Sequence, residues 1–289
     1  MRIAVLSSPM GWHFRDLQRA AENHAGEKLE VFSFDYQQIC AELGGGDQPR
    51  FNLDADCVVV RTMPPGSLQQ VVFRMDLLAR LEHSGVAIFN PPKTIEAAVD
   101  KYLSLALLNS AGIDVPKTKV AQTVEEALDH FEKLGGESVV KPLFGSMGVG
   151  IERLQGVDQA KAYFATAVES GNVIYQQQFI KHDGFDIRLL VIGDNVVGMK
   201  RTNKSHWITN IAQGGVGTPH EPSDFEHKLA IDSARALGAT FAGVDLIYES
   251  ETSRPTVVEV NAVPGWKATS KALGIDVAAM MLNELEQRV

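Results

Sequence analysis

Two runs near the C-terminal end constrain the fold most. Phe241-Ala-Gly-Val-Asp-Leu-Ile-Tyr248 and Thr256-Val-Val-Glu-Val260 are rich in β-branched and aromatic residues, the composition of strands. The polar segment Glu249-Ser-Glu-Thr-Ser-Arg-Pro255 between them reads as a hairpin loop. Side chains on a strand alternate faces, so Glu259 and Asn261 share one face and Val258 and Val260 the other. Pairing Tyr248 with Thr256 sets Asp245 opposite Glu259, with cross-strand Cβ atoms roughly 4.5–5.5 Å apart. Two carboxylates that close repel unless a cation or a proton lies between them. With the Asn261 amide oxygen beside them, they make an oxygen-rich set suited to a hard cation such as Mg²⁺. Solvated strand residues and a turn asparagine are the competing reading.

The rest of the composition narrows the class. The chain has 289 residues and a hydrophobic content of 45%, enough for two domains or a three-part enzyme. A formal net charge of −9 argues against a nucleic-acid-binding surface. The start, Met1 to Pro9, turns polar too quickly for a signal peptide, and no run approaches the ~20 apolar residues of a membrane span. Cys40 and Cys57 form no CxxC pair, and the eight histidines show no HxH or HExxH spacing. A disulfide scaffold and a zinc centre are therefore not expected, and the cytoplasm is the expected compartment.

Arg2 to Leu6, Leu29 to Phe34, Asp56 to Val60 and Val86 to Phe89 read as strands of an opening α/β unit, with helices over Phe14 to Asn23 and Leu68 to Ser84. No GxGxxG follows the first strand, so a dinucleotide site is not expected. Gly44 to Gly46 reads as a loop. Arg61 ends the third of these strands, where α/β domains place ligands, although a solvated rim residue is the commoner case. The periodicity predicts one helix from Thr94 to Ala111. Lys101, near its start, is disfavoured there by the helix dipole unless an anion is bound. Thr123 to Glu126 is a capping box, and Asp158 is expected to cap a helix to Ser170. Val173 to Ile180, Asp186 to Ile192 and Val196 to Lys200 read as strands. Asp186 and Arg188 share a face. Asn203 to Gly217 reads as a long, glycine-bearing loop of the kind that often covers an active site. Ser223 opens a helix to Leu237, and Val277 to Gln287 closes the chain.

Lys141-Pro-Leu-Phe-Gly-Ser-Met-Gly-Val-Gly150 is a glycine-rich turn between two apparent strands. Glycines let backbone N–H groups approach phosphate oxygens without Cβ clashes. It is not a Walker A loop, since no Gly-Lys-Ser/Thr ends it and no helix follows. A flexible β-turn is the bland alternative, and Lys141 on the strand feeding the turn favours phosphate.

Taken in order, Val139-Val-Lys-Pro142 with its glycine turn, Gln177-Gln-Phe-Ile180, Asp186-Ile-Arg188, Lys200-Arg201, Trp207-Ile-Thr-Asn210, Gly243-Val-Asp245 and Glu259-Val-Asn261 resemble the ATP-grasp superfamily, and within it the RimK-like carboxylate–amine ligases. The resemblance implies an ATP-grasp α/β fold: a pre-ATP-grasp α/β domain over 1–92, a central lobe with the glycine turn over 93–180, and a C-terminal lobe with the metal site over 181–289. It implies that Lys101, Lys141, Gly145, Ser146 and Gly148 contact or cover the ATP phosphates. Gln177, Gln178 and Phe179 would sit at the adenine, and Asp186 at the ribose. Asp245, Glu259 and Asn261 would hold one or two Mg²⁺, with Mn²⁺ able to substitute. Arg188, Arg201 and Asn210 would face the γ-phosphate and acyl group.

This sequence departs from the pattern twice. Many relatives carry glutamate at 178 and arginine near 208, where this chain has Gln178 and Ile208. The implied chemistry converts a carboxylate to an acyl phosphate, which an amine attacks to give an amide, ADP and phosphate. The implied substrates are a small-molecule carboxylate and an amino acid, with no nucleic acid or membrane partner; a homo-oligomer would be usual. Asn261-Ala-Val-Pro-Gly-Trp-Lys267 looks closest to members adding L-glutamate to a methanopterin- or deazaflavin-like coenzyme. Ser205 to Asn210 instead resembles the branch acting on an amino-group carrier protein. Arg61 and Lys267 are candidate anchors for substrate carboxylates. A nucleotide-binding module without ligase activity is the alternative of a different class.

Overall fold

The computed structural model describes residues 1–43, 50–51, 53–145 and 148–289. The loop expected at Gly44 to Gly46 lies outside them. The chain opens as alternating strand and helix: β1 (Arg2–Leu6), α1 (Trp12–Glu22), β2 (Glu30–Phe34), a small ribbon of β3 (Ala41–Glu42) and β4 (Arg50–Phe51), β5 (Cys57–Val60), α2 (Leu68–His83) and β6 (Ala87–Phe89). β1, β2, β5 and β6 form a parallel sheet in the order β2–β1–β5–β6. Its central strands are apolar on both faces, as a doubly covered parallel sheet requires. One face packs Leu77, Leu78 and Leu81 of α2 against Ala4, Leu6, Val58 and Val60.

The expected helix over Thr94 to Ala111 is two: α3 (Pro92–Val99) and α4 (Lys101–Ser110). Asp100 breaks them. Its backbone is extended (φ −86°, ψ 106°), and its carboxylate accepts from the Tyr102 and Leu103 N–H groups at 2.8 and 3.0 Å. Asp100 is an N-cap, worth about 1 kcal/mol, and Lys101 is the first residue of a new helix.

A second sheet, in the order β7–β10–β8–β9, joins β7 (Thr118–Ala121), β8 (Glu137–Lys141), β9 (Glu152–Gln155) and β10 (Ile174–Gln177), all antiparallel. α5 (Val124–Lys133) and α6 (Val157–Glu169) bring Phe131 and Phe164 under it. α6 is capped by Gly156, so Asp158 lies in the first turn rather than at the cap. β10 also ends three residues before the expected Ile180.

A third, antiparallel sheet runs β13–β12–β11–β14–β15. Its members are β11 (Phe185–Ile192), β12 (Asn195–Thr202), β13 (Val216–His220), β14 (Phe241–Tyr248) and β15 (Pro255–Asn261). α7 (Asp224–Ala236), opened by the Ser223/Glu226 capping box, and α4 cover one face. Two short helices end the chain: α8 (Lys267–Leu273), which the sequence did not signal, and α9 (Val277–Arg288). α9 packs Met281, Leu282 and Leu285 into the core of the first sheet beside Leu17 of α1, so the two ends of the chain share one core.

One buried side chain ties the first sheet to the third. Asn90, 1% exposed, donates through Nδ2 to the carbonyls of Phe241 and Ala262 at 2.6 and 2.5 Å. Its Oδ1 accepts from the N–H groups of Thr240 and Phe241 at 2.7 and 3.0 Å. Asn90→Ala leaves these four backbone groups without their partner. An unsatisfied buried group costs about 1–3 kcal/mol, so a loss of at least ~3 kcal/mol is expected in a denaturant titration, with no repair by Asn90→Leu.

Candidate functional site

The third sheet carries a stripe of charge across four strands, set by register. Asp186 on β11 pairs with Arg201 on β12, Arg188 with Asp245 on β14, and Asp245 with Glu259 on β15. The expected Asp245–Glu259 partnership is therefore present, but by a different path. Tyr248 pairs with Pro255 rather than Thr256, and a β-bulge between Asp245 and Leu246 absorbs one residue of β15. The extra residue is Val258. It leaves the alternation, so Val257 and Val260 are buried in the core while Val258 joins Glu259 on the site side. A bulge re-aims a side chain in this way. Val258 does not point away from Glu259 as strict alternation required.

The stripe is wired by bidentate ion pairs. Arg201 Nε and Nη2 donate to the two Asp186 oxygens, each at 2.6 Å, and Nη2 also reaches Asp245 Oδ2 at 3.0 Å. Arg188 grips Asp245 from the other side, Nη2 to Oδ2 at 2.7 Å and Nε to Oδ1. Thr209 Oγ1 donates to Asp186 Oδ2 at 2.6 Å. Burial alone would push the Asp245 carboxyl up, but Arg188 and Arg201 outweigh it and hold it below the usual range. Burial likewise opposes the charge on Arg201, and Asp245 and Asp186 together keep it above the ordinary arginine value. Gly243 is required here: a Cβ would come within 2.5 Å of Arg188 Nη1.

Glu259 is different. Its carboxylate takes no hydrogen bond or ion pair from another described residue, and it faces two lysines. Lys101 Nζ donates to the Gly145 carbonyl at 2.7 Å. Lys141 ends β8 and lines the same recess as Lys101, Gly145, Gly148, Asn210, Val258 and Glu259. Burial pushes the Lys141 ammonium down to about 8; Glu259 pulls it up, and Lys101 pushes it further down. Lys101 is also held low by burial, opposed by Glu259. Two partly desolvated cations beside one carboxylate form a site short of negative charge. Gly148 (φ +74°) closes the recess, and a Cβ there would meet Asn210 Oδ1 at 3.1 Å. Ser146 lies outside the described residues.

A second recess continues from the first, lined among others by Val139, Ile151, Gln178, Phe179, Ile208 and Asp186. Gln177 is buried, donating to Thr118 Oγ1 and Tyr175 Oη at 3.1 and 2.9 Å, so its amide braces the wall. Gln178 is exposed, its N–H bound to the Lys117 carbonyl at 2.9 Å. Phe179 packs between the Arg153 guanidinium, 3.6 Å from its ring centre, and Trp207 at 5.7 Å. That gives an apolar slot with a polar rim, the form of a planar-ligand site. A larger cavity of about 890 Å³ lies along α6, meets the two recesses at Lys141 and Pro142, and contains none of the residues of the charged stripe.

Among the described residues no cluster of three or more His, Cys, Asp or Glu could hold a metal. The expected trio is therefore unequal. Asp245 is committed to two arginines, and Asn261 Oδ1 accepts from the Val263 N–H at 2.8 Å. Glu259 alone offers an open carboxylate. A hard cation that takes one or two carboxylates and fills its shell with ligand phosphates fits this donor set; an all-protein cage does not. The sequence also missed Thr209, Arg153 and Val258. Thr209 stood inside a quoted motif, whereas Arg153 and Val258 carried no local signal.

The model of the RimK-like ATP-grasp domain matches residues 98–285. A tetrahydromethanopterin:alpha-L-glutamate ligase of Methanococcus maripaludis is 33% identical over 98% of this chain and 97% of its own length. A probable alpha-L-glutamate ligase of Mannheimia succiniciproducens is 33% identical over 100% and 99%. Among solved structures, the ATP-grasp ligase PsnB with its minimal precursor superposes with a TM-score of 0.78 at 20% identity, over 99% of each chain. The same ligase with a precursor variant, Mg and ADP gives 0.77; at that identity the likeness concerns the fold.

Proposed function

Because the chain belongs to the RimK-like ATP-grasp family, whose members are carbon–nitrogen ligases, we propose that it adds L-glutamate to a methanopterin-like acceptor at the expense of ATP. The observation that carries this reading is the open Glu259 carboxylate beside Lys101 and Lys141, backed by the Arg201–Asp186 and Arg188–Asp245 pairs. That arrangement suits Mg·ATP. The lysines would receive phosphate oxygens, Glu259 would supply the cation's open protein carboxylate, and the slot at Phe179 would take the base. Mg²⁺, when bound, neutralises charge on the transferring phosphoryl group.

The chain's own groups do the rest. Carboxylate pairing fixes both arginine planes, so they need no reorganisation as charge develops. Asp186, with both oxygens engaged, acts first as the holder of Arg201, which qualifies the ribose contact that the resemblance implies. Gly145 and Gly148 bring the turn over the recess and exclude water from an acyl phosphate. No side-chain nucleophile is required. The units 1–92, 93–180 and 181–289 serve in this reading as acceptor-side domain and two nucleotide lobes. No described helix is long and apolar enough to cross a membrane, and the reading is of a cytoplasmic enzyme.

The test is Mg²⁺-dependent ADP release with ATP, L-glutamate and tetrahydromethanopterin, beside panels of other amino acids and acceptors. Release that needs both glutamate and the pterin supports the reading. Release with another pair keeps the ligase and discards the substrates. Nucleotide binding without release on any pair would favour the non-catalytic module.

Lys141 adds a pH signature. It is charged below about 8 in the free protein, and a bound phosphate would raise its pKa. Affinity for ATP therefore falls as pH rises through that value. Between pH 7 and 9 the KM for ATP is expected to rise about tenfold, one proton per site. Lys141→Arg should flatten the profile in the same assay.

A further inference from the structure

The parallel sheet has its own ligand geometry, away from the charged stripe. In the order β2–β1–β5–β6 the chain leaves β1 in one direction for β2 and crosses to the other side for β5. The strand order reverses between β1 and β5, and open α/β sheets bind ligands at the carboxyl ends of the strands flanking such a point. Arg61 follows the last residue of β5 there. Its N–H and that of Thr62 both donate to the Leu6 carbonyl, at 3.1 Å each, the last residue of β1. The loop after β1 leads into α1, which begins at Trp12 with Gly11 at its N-cap. α1 has no side-chain cap and no acidic residue in its first turn, so its positive end is uncompensated.

Arg61 is 8% exposed, its Nε has no hydrogen-bond partner, and no described carboxylate pairs with it. Its guanidinium lies 4.5 Å from the ring centre of Trp266, which is itself fully buried. The nearby carboxylate, Asp16, is turned to others: Oδ2 accepts from Trp266 Nε1 at 2.9 Å and Oδ1 from Arg19 Nε at 3.0 Å. His13 in the first turn of α1 is neutral, because burial and then Arg61 push it down to about 4, and its Nε2 accepts from the Trp266 N–H at 3.2 Å. Lys267 adds a second cation, 5.5 Å from the Trp12 ring centre. A buried guanidinium without a counter-ion is costly unless something anionic arrives. Trp266 also ends the segment that leaves the Glu259–Asn261 strand. Trp266 lies five residue steps beyond Asn261, at most about 18 Å of chain, so the crevice and the reaction centre are within reach of one substrate.

We propose that Arg61, backed by Trp266 and assisted by Lys267 and the open N-terminus of α1, anchors a carboxylate of one of the two organic substrates, glutamate or the acceptor. This rests on the ligase reading for the identity of the substrates, but not for the anion site itself. A charge-assisted hydrogen bond contributes enough to change affinity about 10- to 150-fold.

The test compares wild type, Arg61→Met and Arg61→Lys. Steady-state ADP release gives KM for ATP, glutamate and acceptor separately. Tryptophan fluorescence, measured in a Trp207→Phe background so that it reports on Trp266 and Trp12, follows titration with glutarate, a dicarboxylate that needs no turnover. In Arg61→Met one organic substrate's KM is expected to rise at least tenfold, with kcat and the ATP KM within about threefold, and Arg61→Lys should recover part of the loss. A rise confined to glutamate assigns the amino acid, and one confined to the acceptor assigns the acceptor. The melting temperature should not fall, because an unpaired buried charge has been removed. Saturable glutarate binding lost in Arg61→Met supports the site even if the wild type shows no turnover with glutamate, which would instead count against the ligase substrates. The proposal is overturned if neither KM nor glutarate binding separates Arg61→Met from wild type, or if kcat and melting temperature fall together with no selective change in KM.

Discussion

Replacing Glu259 with glutamine is expected to lower Mg²⁺-dependent ADP release about 10³-fold while leaving the melting temperature within about 2 °C of wild type. Glu259 makes no ion pair or hydrogen bond that the rest of the described chain relies on, and it is the open carboxylate in a recess otherwise lined by Lys101 and Lys141. In the proposed reading its loss therefore falls on the cation that Glu259 would hold, and not on the fold. Losing a well-placed charge in a water-poor site commonly costs about 4 kcal/mol of transition-state stabilisation, hence the factor of 10³. The amide keeps shape and volume, so packing is not the cause. Rate and thermal melting measured on one preparation separate the two effects. A variant with near-normal turnover would remove Glu259 from the cation site.

Asp245→Asn is expected to do the opposite in kind. Asp245 is 2% exposed and neutralises two arginines at once, Arg188 and Arg201. Without its charge, Arg188 loses its partner and Arg201 keeps only Asp186. Removing one member of a buried ion pair costs about 3–5 kcal/mol. For a protein of this size that lowers the melting temperature by roughly 10 °C. Turnover should fall as well, because Arg188 is no longer held flat. Asp186→Asn should lose less, since Thr209 and Arg201 can still bond to an amide oxygen at that position. A scan of the three proteins ranks them; an Asp245→Asn melting point equal to wild type would show that the network is not carrying the sheet.

What could be read in advance was local or fixed by a short loop. The hairpin around Glu249 to Arg254 is brief, so its strands announced the Asp245–Glu259 partnership. Alternation on β11 put Asp186 and Arg188 on one face, and both lie in the charged stripe. The bulge at Val258 was not legible, because Val257 and Val258 are both apolar and β-branched and only cross-strand geometry decides which is extra. Nor was the break at Asp100. Inside an apolar periodic run it reads as helix interior, and its capping role appears only once α3 and α4 part. Asp186 faces Arg201 through the two-strand register of the β11–β12 hairpin, which the periodicity of either strand alone does not contain. Asn90 meets its partners about 150 residues away, so no window on the sequence shows why it is there. α8 has seven residues and no side-chain cap, which leaves little to detect.

The direct measurement is the fate of oxygen during turnover. The acceptor is supplied with ¹⁸O in its reacting carboxylate, together with Mg·ATP and L-glutamate, and product and phosphate are analysed by mass spectrometry. The account predicts an acceptor heavier by one glutamyl residue, one ADP per amide formed, and one ¹⁸O in each phosphate released. ATP consumption without label in the phosphate would contradict activation of the carboxylate by phosphoryl transfer, and with it the role assigned to Glu259 and its two lysines.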